Sequence, residues 1–156
     1  MEIHSRKKLD HRVPQWVKPS SFFFITICCR PRRRNQLCPS GTADRLLENA
    51  AFYHERFRWQ CLVFLLMPDH LHAILAFPAS PGMASTVKAW KSYQARSIGI
   101  DWQSGFFDHR LRDRFSLDEK LCYVLQNPVR AGLVAKPEDW PFVFRPADRP
   151  IWQGFE

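Results

Sequence analysis

Residues 22–29 are aromatic and β-branched almost throughout and stop at Arg30-Pro31, a pattern that predicts a buried strand. Over residues 42–58 the apolar positions Ala43, Leu46, Leu47, Ala50 and Phe57 recur at helical spacing, so an amphipathic helix follows. Two further apolar runs, residues 61–67 and 70–77, flank Pro68-Asp69 and predict an antiparallel hairpin. After a loop at 78–82, residues 83–98 fit a second helix with Val87, Trp90 and Ala95 inward and Lys88 and Lys91 outward. Residues 106–110 predict a short strand and residues 116–127 a third helix. Ser116 and Glu119 have the spacing of a capping box, and Pro128 disfavours helical geometry at Asn127, which predicts the helix end there. The order β-α-β-β-α-β is an α+β, ferredoxin-like arrangement: an antiparallel sheet covered on one side by two helices, with an additional C-terminal helix carrying a tyrosine. We expect one domain at 21–141, a polar basic arm at 1–20 and a tail at 142–156.

Composition narrows the class. The 156 residues, 46% of them hydrophobic and 14% aromatic, suffice for one domain with a real core. No apolar run approaches the roughly 18 residues of a membrane span, and residues 1–12 do not resemble a signal peptide, so a cytoplasmic location is expected. The five cysteines form no C-x-x-C pair and read as reduced core residues. Charge changes the picture more. The net charge of +8 and pI near 9.6 point to an acidic polymer as partner, with nucleic acid the leading candidate. The cations cluster at Arg6, Lys7 and Lys8, at Arg30, Arg32, Arg33 and Arg34, at Lys88 and Lys91, and at Arg110, Arg112 and Arg114. Singly each is a solvated surface; together they mark candidate phosphate contacts.

His70 and His72 are two apart on a predicted strand, so both imidazoles point to one face. Such a pair is either two hydrogen-bonded histidines or half of a divalent-metal site. On the third helix Tyr123 and Asn127 are four apart and share a face. Taken singly they read as a half-buried aromatic and a C-cap. Set beside two histidines they supply a hydroxyl nucleophile and an oxygen ligand. His4, His11 and His54 read as surface histidines, His109 as structural or as an outer partner of a site residue, Trp102 and Trp140 as packing anchors, and Glu119 as a cap, not a catalytic acid.

Several motifs carry a resemblance. Met67-Pro68-Asp69-His70-Leu71-His72 resembles the His-hydrophobic-His signature of the single-tyrosine HUH transposases. The stretches from Gly105 to Arg112, from Tyr123 to Val134, and from Pro137 to Pro141 are similar to downstream motifs of the REP-associated tyrosine transposase branch. The similarity spans residues 22–141. It implies that His70, His72 and Asn127 hold a divalent metal, Mg²⁺ or Mn²⁺, and that Tyr123 attacks single-stranded DNA carrying a hairpin, leaving a 5′-phosphotyrosyl intermediate and a free 3′-hydroxyl. Relatives use glutamine or asparagine after the tyrosine; Asn127 fits, whereas Gln126 projects about 100° away on a helix. Relatives act as monomers or as homodimers.

The chemistry holds together independently of the resemblance. A phenol with a pKa of about 10 is a weak nucleophile at neutral pH, and a cation that polarises the phosphate compensates. No glycine-rich phosphate loop is present, so no nucleotide cofactor is expected. Alternatives from other classes are a non-catalytic RNA-recognition-like module, a DNA binder that has lost catalysis, and a metal hydrolase using water. The first lacks the Lys/Arg-Gly-aromatic signature on its third strand, the second is opposed by the presence of Tyr123, His70 and His72, and the third lacks an acidic cluster near the histidines.

Overall fold

The computed structural model describes residues 22–146; the expected basic arm, with Arg6, Lys7 and Lys8, and residues 147–156 lie outside them. Strand β1 (Phe22–Cys28) leads to helix α1 (Ser40–Glu55), the hairpin β2 (Gln60–Met67) and β3 (His70–Ala76), helix α2 (Met83–Ile98), strand β4 (Phe107–Arg110), helix α3 (Arg114–Arg130) and a short β5 (Val143–Phe144). The sheet order is β4-β1-β3-β2-β5, every described pairing antiparallel. Its first four strands have the ferredoxin-like order expected from the sequence. The two-residue β5, within the expected tail, is an addition that no periodicity announced.

The long apolar runs of β1, β2 and β3 have a simple cause: both faces of the sheet are covered. Phe23, Ile25, Ile27, Leu71, Ala73 and Leu75 pack with α1 and α2, while Phe22, Phe24, Leu65 and Ile74 pack with Leu117 and Val124 of α3. Each fully buried Phe, Leu or Ile contributes about 1.5–3 kcal/mol of transfer free energy, so a strand sandwiched this way has little tolerance for polar residues. The exceptions to that rule mark the site. Three indoles tie layers together through their N–H groups: Trp59 to the Ala50 carbonyl, Trp102 to that of Lys91 and Trp140 to that of Leu66. None of the described helices is long and apolar enough to cross a membrane.

Several expectations need correction. Helix α1 ends at Glu55, and Phe57 sits beyond it with a positive φ of 59° and is exposed, so Tyr53 and His54 complete the buried face instead. His54 is no surface histidine; its Nδ1 accepts the backbone N–H of Cys61, which replaces solvent for both groups. In α2 the inward residue after Trp90 is Gln94, held to Asn49 of α1, while Ala95 faces out. Cys29, Cys38 and Cys61 are buried free thiols, but Cys122 is exposed on the outer face of α3. The cap of α3 is Asp113, whose carboxylate accepts the Ser116 N–H at 2.8 Å, not Ser116 with Glu119. The helix also continues through Pro128 to Arg130, because burying Val124 and Pro128 outweighs the local penalty at Asn127. Its end is closed by Ala131, Gly132 and Leu133 N–H groups bonding to the carbonyls of Asn127, Val129 and Pro128, with Gly132 at φ 77° supplying the left-handed turn.

The cap assignment gives a direct test. The Asp113 carboxyl is held below its ordinary range by its hydrogen bonds to Ser116. Asp113→Ala should lower the urea midpoint, Asp113→Asn should keep most of it, and Glu119→Ala should leave it unchanged. Because the carboxyl is depressed in the folded state, the Asp113 contribution should be full above about pH 4 and fade as pH falls below that.

Candidate active site

The β2–β3 turn organises the first half of the site. Asp69 at its tip takes four hydrogen bonds: from Arg32 Nε at 2.9 Å and the Arg33 backbone N–H at 2.7 Å on Oδ2, and from Arg32 Nη2 at 3.4 Å and His70 Nδ1 at 2.8 Å on Oδ1. The turn is also pinned by backbone bonds from Cys29 to the Asp69 carbonyl and from Gln36 and Leu37 to the Pro68 carbonyl. Partial burial pushes the Asp69 carboxyl up, but the bonds from Arg32, His70 and Arg33 outweigh it and hold the group far below the usual carboxylate range. An ionised carboxylate only accepts, so His70 Nδ1 is the donor in this contact and Nε2 is not engaged by Asp69.

His72 faces α3 and is 7% exposed. Register places Thr26 of β1 directly opposite, and the Thr26 hydroxyl meets His72 Nδ1 at 2.9 Å. Burial, with repulsion from His70, Arg130 and Lys120, pushes the His72 imidazole down to about 3, so the ring is neutral across the physiological range. In both histidines the hydrogen-bond partner sits on Nδ1, which leaves Nε2 for a ligand. The two ring centroids are 4.9 Å apart.

Helix α3 supplies the second half. The Tyr123 ring lies 6.1 Å from His72 and 6.1 Å from Phe24, which itself stacks on His72 at 5.2 Å. Arg130, two residues beyond the buried Pro128, lays its guanidinium 4.1 Å from the Tyr123 ring centre and donates to the Tyr123 carbonyl at 2.8 Å. Lys120 Nζ sits 4.9 Å from the same ring and 4.6 Å from Phe24. Asn127 is half-buried one turn after Tyr123, and its Nδ2 has no hydrogen-bond partner among the described residues. Gln126 is exposed and lines, with Tyr123, Lys120, Arg130, Glu119 and Cys122, a cleft of about 420 Å³. Larger clefts of about 640 and 530 Å³ lie against α1 and α2 and contain neither histidine nor Tyr123. Chemistry, not volume, identifies the site.

The structure thus brings His70, His72 and Tyr123 into ring contact and sets Asn127 on the next turn of the tyrosine helix. Among the described residues no three His, Cys, Asp or Glu side chains form a metal-binding group. A cation here would need the two imidazoles plus an amide oxygen, and a donor set that small leaves coordination positions open for phosphate oxygens. The neutral His72 fits such an ion, and Asn127 would offer it the amide oxygen, its unpaired nitrogen being a donor that suits a phosphate oxygen instead.

The basic candidates separate. Arg30 bonds to Asp101 at 3.0 Å, Arg32 to Asp69, and Lys91 Nζ to the carbonyls of Gln103 and Gly105 at 2.8 and 2.6 Å, so these three hold loops together. Lys91 therefore does not point into solvent as its helical position predicts. Arg33, Arg34, Lys88 and Arg112 are exposed, and Arg110 lies on the sheet face turned from Tyr123. His109 is exposed on β4, not packed. Sequence reasoning passed over Thr26, Asp69, Lys120 and Arg130. The two cations could have been found, since they stand three residues before and seven after Tyr123, one helical face. Thr26 could not, because only strand register connects it to His72.

Comparison with known proteins adds an independent line. Residues 23–110 match the family model described as Transposase IS200 like. The chain is 28% identical over 131 residues to the REP-associated tyrosine transposase of Escherichia coli (strain K12), covering 81% of this chain and 77% of that one. It also superposes, at 26% identity and a TM-score of 0.67, on the solved structure of a REP-associated tyrosine transposase bound to a REP hairpin, covering 80% of this chain and 76% of the other.

The Asp69 network predicts a measurable loss. Asp69→Ala should destabilise the fold by on the order of 1–2 kcal/mol at pH 7, less than a buried pair would give because Arg32 stays in contact with water. The histidine ¹⁵N spectrum should show His70 losing its preference for the Nδ1–H tautomer. A carboxyl depressed on folding stabilises above its unfolded pKa of about 4, so the gap between wild type and variant should narrow as pH falls below that value.

Proposed function

The chain belongs to the IS200-like transposase family, and from that premise we propose that it cleaves and rejoins single-stranded DNA beside a REP-like hairpin, with Tyr123 as nucleophile. The observation that carries this is the contact of the Tyr123 ring with His72, 6.1 Å between centroids, across the seam between α3 and the sheet. His70, His72 and Asn127 would hold the divalent ion, Mg²⁺ or Mn²⁺, which when bound supplies Lewis-acid polarisation of the scissile phosphate.

The remaining roles follow from this chain's own side chains. Asp69 and Thr26 fix the two imidazoles by their Nδ1 atoms, as outer partners of metal-ligating histidines do. Lys120 and Arg130 stand over the tyrosine ring and would attract the phosphate group to the side of the phenol oxygen. That oxygen forms the new bond to phosphorus, the bond from phosphorus to the 3′ oxygen breaks, and the phenol proton passes through water to the departing 3′ oxygen. The 5′-phosphotyrosyl bond keeps the energy of the broken diester, so a 3′-hydroxyl can reverse the step without ATP. A strand free to bend can bring its phosphate in line with a helix-borne phenol more easily than a stacked duplex can. His72 contacts both His70 and Tyr123 within one chain, so a monomer already contains these three.

Two measurements test this. Purified protein with labelled single-stranded hairpin DNA and Mn²⁺ should give an adduct that survives denaturing gels; fully paired duplex should give far less, and Tyr123→Phe none, with DNA affinity kept within about threefold. An adduct of wild-type yield in Tyr123→Phe would refute the nucleophile assignment. Separately, calorimetric titration with Mn²⁺ should give one site per chain that His72→Ala and Asn127→Ala weaken tenfold or more; unchanged ion affinity in both variants would remove the proposed ligand set.

A further inference from the structure

Phe107 is an exposed ring one aromatic contact away from Tyr123, through Phe24. Its place follows from register: Phe107 of β4 stands opposite Thr26 of β1, and Thr26 stands opposite His72 of β3. Cross-strand partners share a face, so Phe107 is the edge position of the row that contains His72, on the side covered by α3. Helix α3 packs over β2 and β3, and Phe107 is 59% exposed at the uncovered margin. Its ring meets Phe24 edge-on at 6.4 Å, and Phe24 in turn contacts both His72 and Tyr123.

An isolated exposed apolar residue carries no message, but this one is anchored by an edge contact to the rings of the site. The other phenylalanines of that sheet face, Phe22 and Phe24, are buried and have no free face to offer. Lys120 of the tyrosine helix stands over Phe24, the ring that Phe107 meets edge-on, and would face the phosphate next to a base seated there. A rigid aromatic face with a cation beside it, on the margin of a phosphate-processing site, is what an unpaired nucleobase binds.

We infer that Phe107 is a stacking platform for one unpaired nucleobase adjacent to the scissile phosphate. The inference rests on the proposal that Tyr123 acts on a DNA strand. Stacking of this kind tolerates any base, because every base has a π-face, but it demands that the base be out of the duplex. Phe107 would therefore select strand form, leaving sequence to be read elsewhere.

The test is a cycle between protein and DNA. Binding of the full chain to a hairpin with single-stranded flanks is measured for wild type, Phe107→Leu and Phe107→Trp, with an abasic nucleotide placed in turn at each unpaired position. Phe107→Leu should weaken binding about tenfold, and Phe107→Trp should restore it. At one position the abasic substitution should weaken the wild type by the same factor and leave Phe107→Leu no weaker than before. 2-Aminopurine at that position should be quenched by wild type and Phe107→Trp but not by Phe107→Leu. Penalties that simply add at every position, or full affinity in Phe107→Leu, would overturn the platform. Adduct formation is scored in the same mixtures against a Tyr123→Phe blank. A wild type that binds without forming an adduct would overturn the tyrosine chemistry, while the binding cycle still decides the platform.

Discussion

The site depends on one constraint, the register between β1 and β3. It sets Thr26 opposite His72 and Cys28 opposite His70. Because side chains alternate between faces, a slip of β3 by one residue would turn His72 toward α1 and α2 and bring Leu71 or Ala73 against α3. Both faces of this sheet are packed, so such a slip would misplace every apolar residue of the strand at once. The core therefore fixes the histidines, and the hydrogen bonds at their Nδ1 atoms refine an orientation that packing has already limited.

The polar cost of the site is concentrated in a few atoms. His72 is buried beside two cations and stays neutral, and the Asn127 amide has a nitrogen without a partner among the described residues. Unsatisfied buried polar groups cost about 1–3 kcal/mol each, and a core built only for stability would have apolar residues there. The contact of Lys120 and Arg130 with one tyrosine ring is likewise an arrangement of like charges that an incoming anion would relieve. These features converge on one side of α3, and they suit the ligand proposed for it, a phosphate group with a cation.

Charge tells a different story when followed residue by residue. The net excess of +8 suits a nucleic-acid partner, yet the basic residues do not all serve the same end. Arg30 and Arg32 are spent on acidic partners in the loops that brace the β2–β3 turn, and Lys91 on carbonyls of the loop before β4. The cations that touch the Tyr123 ring, Lys120 and Arg130, stand outside the basic clusters of the sequence.

The sequence by itself determined the strands, the helices, their ferredoxin-like order and the relations that are short in sequence. These are the shared face of His70 and His72, the shared face of Tyr123 and Asn127, and the turn at Pro68-Asp69. Such features repeat with the period of a strand or a helix, and periodicity is local information. Only the tertiary structure decided what each face meets. It joined Tyr123 to His72, buried His54, left Phe57 and Phe107 exposed, carried α3 past Pro128 and added β5, whose two residues are too few to show a period. It also paired Arg32 with Asp69, a partner 37 positions away. The physical reason is common to all of these: burial and ion pairing are set by the chain that packs opposite, and residue type or local spacing holds no record of which segment that will be.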